Sequence, residues 1–170
     1  MKGLAKFALS AIMAISATTV AAETAGFKFS MFGVNAPDAD RVNGVRLAFL
    51  YGQPMSHIQG ADIGLFAVTE VESVKGAAVS LVNIHRGDDV GANVGLVNIT
   101  NNVHGANVSF ANISEGNTMV DVGVVSFSGK SKVQVGIFNK TDHIEAVQVG
   151  IINCAANGFL PCFPIVNFPK

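Results

Sequence analysis

Tryptophan is absent from this 170-residue chain, tyrosine occurs once, at Tyr51, and cysteine twice, at Cys154 and Cys162. Charged residues make up 14 % of the sequence, fewer than a soluble protein of this size ordinarily spreads over its surface. The 11 Lys and Arg residues are matched by 12 Asp and Glu, which leaves no electrostatic footprint for nucleic acid. Beyond the N-terminus, no window approaches the roughly 18 continuous apolar residues of a spanning helix. Helical periodicity is missing, and abundant glycine and β-branched residues oppose helix. No Gly-x-Ser-x-Gly elbow or phosphate-binding glycine loop occurs. What remains is apolarity distributed in alternation, as in β-structure that is buried or lipid-facing.

The first residues read as a processing signal. Lys2 and Lys6 supply a positive start, Phe7 to Thr18 an apolar stretch, and Val20-Ala21-Ala22 a small-residue cut before Glu23. Residues 1–22 are therefore expected to be a signal peptide and 23–170 a single repetitive β domain. The expected destination is the outer membrane, the periplasm or the cell surface. In that oxidising setting Cys154 and Cys162 are expected to form a disulfide that pins the C-terminal strand to its neighbour.

A short unit recurs along the domain. It reads Gly-Ala-Asn-Val-Gly-Leu-Val-Asn-Ile at 91–99, Gly-Ala-Asn-Val-Ser-Phe-Ala-Asn-Ile at 105–113, and Val-Gln-Val-Gly-Ile-Ile-Asn at 147–153. Its central small residue falls at Ala48, Gly64, Ser80, Gly95, Ser109, Gly123, Gly136, Gly150 and Pro164, in steps of 16, 16, 15, 14, 14, 13, 14 and 14. A fixed period means one structural element stamped repeatedly. Alternation and turn residues predict about ten strands, near 27–34, 42–51, 58–68, 74–84, 90–99, 103–113, 118–127, 132–140, 144–154 and 159–168. Along the sixth, Val103, Gly105, Asn107, Ser109, Ala111 and Ile113 share one face and His104, Ala106, Val108, Phe110 and Asn112 the other.

Two architectures accept this pattern. The favoured one is an all-β, antiparallel up-and-down meander, one short strand per repeat, closed into a small barrel. Turn-forming Asn101-Asn102, Glu115-Gly116-Asn117, Ser128-Gly129-Lys130, Thr141-Asp142-His143 and Asn157-Gly158 would reverse the chain between strands. The alternative is a parallel β-solenoid with one coil per repeat, in which Asn83, Asn98, Asn112, Asn139, Asn153 and Asn167 stack as an internal ladder. Alternation over eleven residues speaks against a coil that must turn twice. Strands of about ten residues suit an outer-membrane barrel, with Arg46, Asp62, Asn93, Asn107, Asp121, Gln134 and Gln148 lining its interior. Missing long loops and thin aromatic girdles count against that setting.

The repeat unit, together with Ser114-Glu-Gly-Asn-Thr, Val133-Gln-Val-Gly-Ile-Phe-Asn and the ending Cys162-Phe-Pro-Ile-Val-Asn-Phe, resembles a family of small exported proteins from Vibrio-like marine bacteria. More distantly it is similar to the bacterial "surface repeat" pattern Gly-Leu-Gln-Ile-Gly-Leu-Ile-Asn. The resemblance implies an envelope location and transfers no catalytic residue.

The chemistry-bearing residues do not converge. His57, His85, His104 and His143 lie in or beside turns and read as solvated, as do Asp88-Asp89 and Glu70/Glu72. Arg86-Gly87-Asp88 is ordinary turn chemistry. Asp62 and Asp121, inside strands on the small-polar face, are the better candidates for an interior polar site. No catalytic, cofactor-binding or metal-ligating residue is expected. The sequence points to a non-enzymatic envelope protein, a small outer-membrane β-barrel or else a soluble β-solenoid serving as an interaction module. Outer-membrane lipid, an envelope protein or a small ligand are the partners to consider, and nucleic acid is not.

Overall fold

The computed structural model describes residues 24–170; the expected signal peptide at 1–22 lies outside them. Eight strands follow one another: β1 (Thr24–Met31), β2 (Val34–Ala36), β3 (Arg41–Val79), β4 (Val82–His85), β5 (Asp88–Thr100), β6 (Asn102–Val135), β7 (Phe138–Ala155) and β8 (Cys162–Asn167). Pairing from β3 through β7 is parallel. Corresponding repeat residues meet, as in Gly91↔Gly105, Asn93↔Asn107, Val94↔Val108 and Asn98↔Asn112. The chain is a β-solenoid of about 9 turns, so the antiparallel meander barrel gives way to the parallel alternative. β3 and β6 are long because the chain stays extended around the bends.

One coil shows why the repeat is read this way. Between Asp88 and Asn101 the buried side chains are Asp89, Asn93, Asn98 and Thr100, whereas Val94, Leu96 and Ile99 are exposed. Inward positions therefore switch parity between Asn93 and Asn98. That switch is a corner built from Val94-Gly95-Leu96-Val97, with no turn-forming residue to announce it. The small residue at the corner has a packing reason. A Cβ on Gly95 would lie 2.7 Å from the Ser80 carbonyl oxygen and 3.0 Å from the Asn83 amide nitrogen. Residues expected to reverse the chain, such as Asn101-Asn102 and Glu115-Gly116-Asn117, form the opposite corner instead. Asn157-Gly158 alone among them opens a true reversal, into β8, which pairs antiparallel with β7. Pro164 is accordingly no ninth copy of the small residue.

The coils also shorten along the stack. The apolar corner runs from Gly64 to Thr69 in one coil and from Ser80 to Asn83 in the next, since Thr69 and Asn83 are register partners. The longer early corners contain Leu50 and Phe66, both in the left-handed region at φ 62° and 51°.

The interior changes character along the axis. Val42, Met55, Ile58, Val71, Val74 and Ala78 form an apolar core in the early coils. Later coils are held by polar columns. Asn83 Nδ2 donates to Asn98 Oδ1 (2.8 Å), Asn98 to Asn112 (3.1 Å) and Asn139 to Asn153 (2.8 Å). The expected asparagine ladder is thus present, with Ser126 interrupting it. A second column carries Asn93 to Asn107 (3.1 Å), Asn107 to Asp121 (3.2 Å) and Gln148 to Gln134 (2.7 Å). Its members are the small-polar face read from the sequence, all of them buried.

Candidate interaction surface

Polar residues inside force the apolar residues out. At the Val-Gly-Leu-Val corner the outward side chains stack coil upon coil into three columns. The crest is Leu65, Leu81, Leu96, Phe110, Ile137 and Ile151, with Phe110 at 60 % and Ile151 at 66 % exposure. One shoulder is Val79, Val94, Val108, Val122, Val135 and Val149, all exposed. The other carries Val68, Val82, Val97, Val125, Phe138 and Ile152. At about 4.8 Å per coil the ridge runs roughly 30 Å along the solenoid from Leu65 to Ile151. Apolar patches this extensive and contiguous mark interaction sites rather than ordinary surface.

Four bulky residues at or beside the ridge hold an uncommon backbone conformation. Phe32, Leu50, Phe66 and Ile165 are the positive-φ non-glycine residues among those described. Each is large, apolar and exposed, Phe66 to 72 % and Ile165 to 74 %. Gly or Asn would occupy the left-handed region at lower cost, and such strain clusters at functional surfaces. At the N-terminal end the ridge meets a cavity of about 590 Å³ lined by Phe27, Phe29, Met31, Phe32, Val34 and Pro37.

Charge is segregated to the far corner. Arg86 pairs there with Glu70 (2.6 Å) and Lys130 with Glu145 (2.7 Å). The hydrogen bond and charge of Lys130 hold the Glu145 carboxyl below its ordinary value. A cavity of about 450 Å³ collects His57, Glu72, Ser73, Lys75, Gly87 and Asp88. His57 Nδ1 lies 2.6 Å from Ser73 Oγ. The Asp88 carboxylate accepts from Asn102 Nδ2 (2.8 Å). In a catalytic relay the carboxylate holds the imidazole and the imidazole the hydroxyl. Here Asp88 bonds an asparagine instead of His57, and the relay order is not formed.

The two carboxylates, Asp62 and Asp121, are both buried on the inward face. Asp62 receives Arg46 Nε at 2.7 Å and a second guanidinium nitrogen at 2.6 Å, both residues fully buried. Asp121 accepts from Thr118 (2.5 Å), Asn107 (3.2 Å) and Ser131 (3.2 Å). Burial pushes the Asp121 carboxyl above its ordinary range against these donors. Ala78, Asn93 and Asn107 separate the two carboxylates along the column, so they form no common site. Cys154 and Cys162 are bonded across β7 and β8.

Two expectations of solvation fail. His85 and Asp89 are buried, with His85 Nδ1 2.6 Å from Asp89 Oδ2. Asp89 also accepts from the Val74 amide and from Asn93 Nδ2, both at 2.8 Å. The carboxylate sits on an inward position that happens to adjoin a corner, which sequence alone reads as turn. His85 Nε2 is buried without a partner. Among the described residues no group of three or more His, Cys, Asp or Glu side chains is placed to hold a metal ion. Sequence reading also missed the ridge as one surface, although the Leu/Phe/Ile residue after each central small residue is its signal. Comparison with family models, curated proteins and solved structures returned no match.

Proposed function

We propose that this chain is a non-enzymatic interaction module of the bacterial cell envelope, exported by residues 1–22, whose working surface is the apolar ridge. The observation that carries the reading is the segregation of side chains. Crest and shoulder columns present no charge over coil after coil, while the ion pairs gather at the opposite corner. A solenoid gains such a surface cheaply, because each stacked copy repeats the same outward residues. The parallel stack supports an interaction module in place of the outer-membrane barrel that the strand lengths had favoured.

Fractionation of producing cells tests both halves of the proposal. The wild-type chain is expected in the envelope fraction with Glu23 at its N-terminus, and Leu96→Glu/Ile137→Glu is expected to be processed equally but released in soluble form. Retention of the double variant together with the wild type removes the ridge from the function. An unprocessed N-terminus removes the export.

A further inference from the structure

We propose that the ridge seats the solenoid in the surface of a lipid bilayer, with its long axis in the membrane plane and the charged corner facing water. This rests on the ridge being the contact surface and names the partner. The ridge is a convex corner whose tip, Leu96, Phe110, Ile137 and Ile151, stands clear of its shoulders. Two such crests would meet tip to tip along a single line of side chains and leave the shoulders of both uncovered. Fluid acyl chains instead close around a convex apolar edge, and interfacial elements sink about 5–10 Å into the headgroup boundary.

Among the described residues no row of Lys or Arg flanks the crest, so the contact is apolar and does not call for anionic lipid. The early coils lengthen their corners to push Leu50 and Phe66 outward in a conformation that disfavours both. Folding gains nothing from Phe66 at 72 % exposure, whereas insertion into lipid would use its whole ring. The apolar cavity between Phe27, Phe32 and Pro37 continues the ridge at its N-terminal end, where an acyl chain can lie.

The absence of tryptophan makes the test local, because a single introduced indole reports one position. Full-length Phe110→Trp and Lys132→Trp chains are mixed with phosphatidylcholine vesicles, with and without brominated acyl chains. The expected result is a blue shift and bromine quenching at position 110 and neither at position 132. Added phosphatidylglycerol or 0.5 M salt should change little, since screening acts on charges. Phe66→Asn relieves the left-handed strain and should keep or raise the melting temperature while weakening vesicle partition about tenfold or more. Two outcomes overturn the lipid assignment. If position 110 shifts blue without vesicles, in step with concentration and sedimenting mass, the ridge is a contact surface but its partner is a second copy. If positions 110 and 132 are quenched alike, or neither is, the chain does not lie ridge-down in lipid.

Discussion

Single side chains decide whether this stack closes. In the asparagine ladder Nδ2 also donates to a backbone carbonyl one coil on: Asn83 to Val94 (3.0 Å), Asn112 to Val122 (3.0 Å) and Asn139 to Val149 (3.0 Å). Ser126 occupies one rung and is too short to span it. Ser126 Oγ and Asn139 Oδ1 are left as buried atoms without partners. Ser126→Asn should therefore fill the gap, its Nδ2 donating to Asn139 Oδ1 as the other rungs do. Repairing one unsatisfied buried acceptor should stabilise by about 1 kcal/mol, or a rise of about 3 °C in melting temperature. Ser126→Ala, which removes the stranded hydroxyl without repairing the rung, should change the melting temperature far less. A fall with asparagine would mean that the rung lacks the volume, and that serine fits it for packing. Position 126 was legible as a break in the asparagine series; that its neighbour would be orphaned required the register.

At the scale of the coil, glycine enforces a close approach no other residue permits. Gly44, Gly60, Gly76, Gly91 and Gly105 stack in one column with φ between +131° and +158°. A Cβ on Gly91 would fall 1.8 Å from the Gly76 carbonyl oxygen, a backbone atom that cannot turn aside. Gly91→Ala should cost about 3 kcal/mol or more, read as a lowered denaturant midpoint. An unchanged midpoint would show that the strands can separate there. Periodicity made this much visible: all-β content, repeat length, the inward polar face and the asparagine positions. Strand direction was not visible, because alternation looks the same on a straight strand and across a corner where parity slips. Asn107 and Asn112 both point inward, five residues apart, so Val108 to Ala111 contain the bend. A corner of Val-Ser-Phe-Ala carries no Gly-Asn punctuation, and a strand-wide reading ran straight through it. The same blindness hid the ridge, whose residues adjoin only after the coils stack.

For the whole molecule, the open ends of a parallel stack are its liability, since an uncovered coil offers a row of unpaired amides and carbonyls to another chain. Both described ends are closed by antiparallel pieces. β2 folds back on β1, and β8 folds back on β7. The second closure is reinforced by the Cys154–Cys162 bond, by Phe159 stacked on Phe168 at 5.4 Å, and by Asn167 donating to the Asn153 carbonyl at 3.2 Å. Asn167 thus supplies a last rung from a strand running the opposite way. Closing so short a loop should contribute about 2–3 kcal/mol. In a quasi-one-dimensional stack that loss should stay local. Cys154→Ser/Cys162→Ser should therefore speed amide exchange over 147–155 and 162–168, leave 91–100 protected, and raise light scattering with time as freed edges join end to end. If exchange accelerates equally through every coil, the stack unfolds as one unit. The polar columns running from Asn93 to Gln148 would then couple the coils more strongly than nearest-neighbour stacking requires.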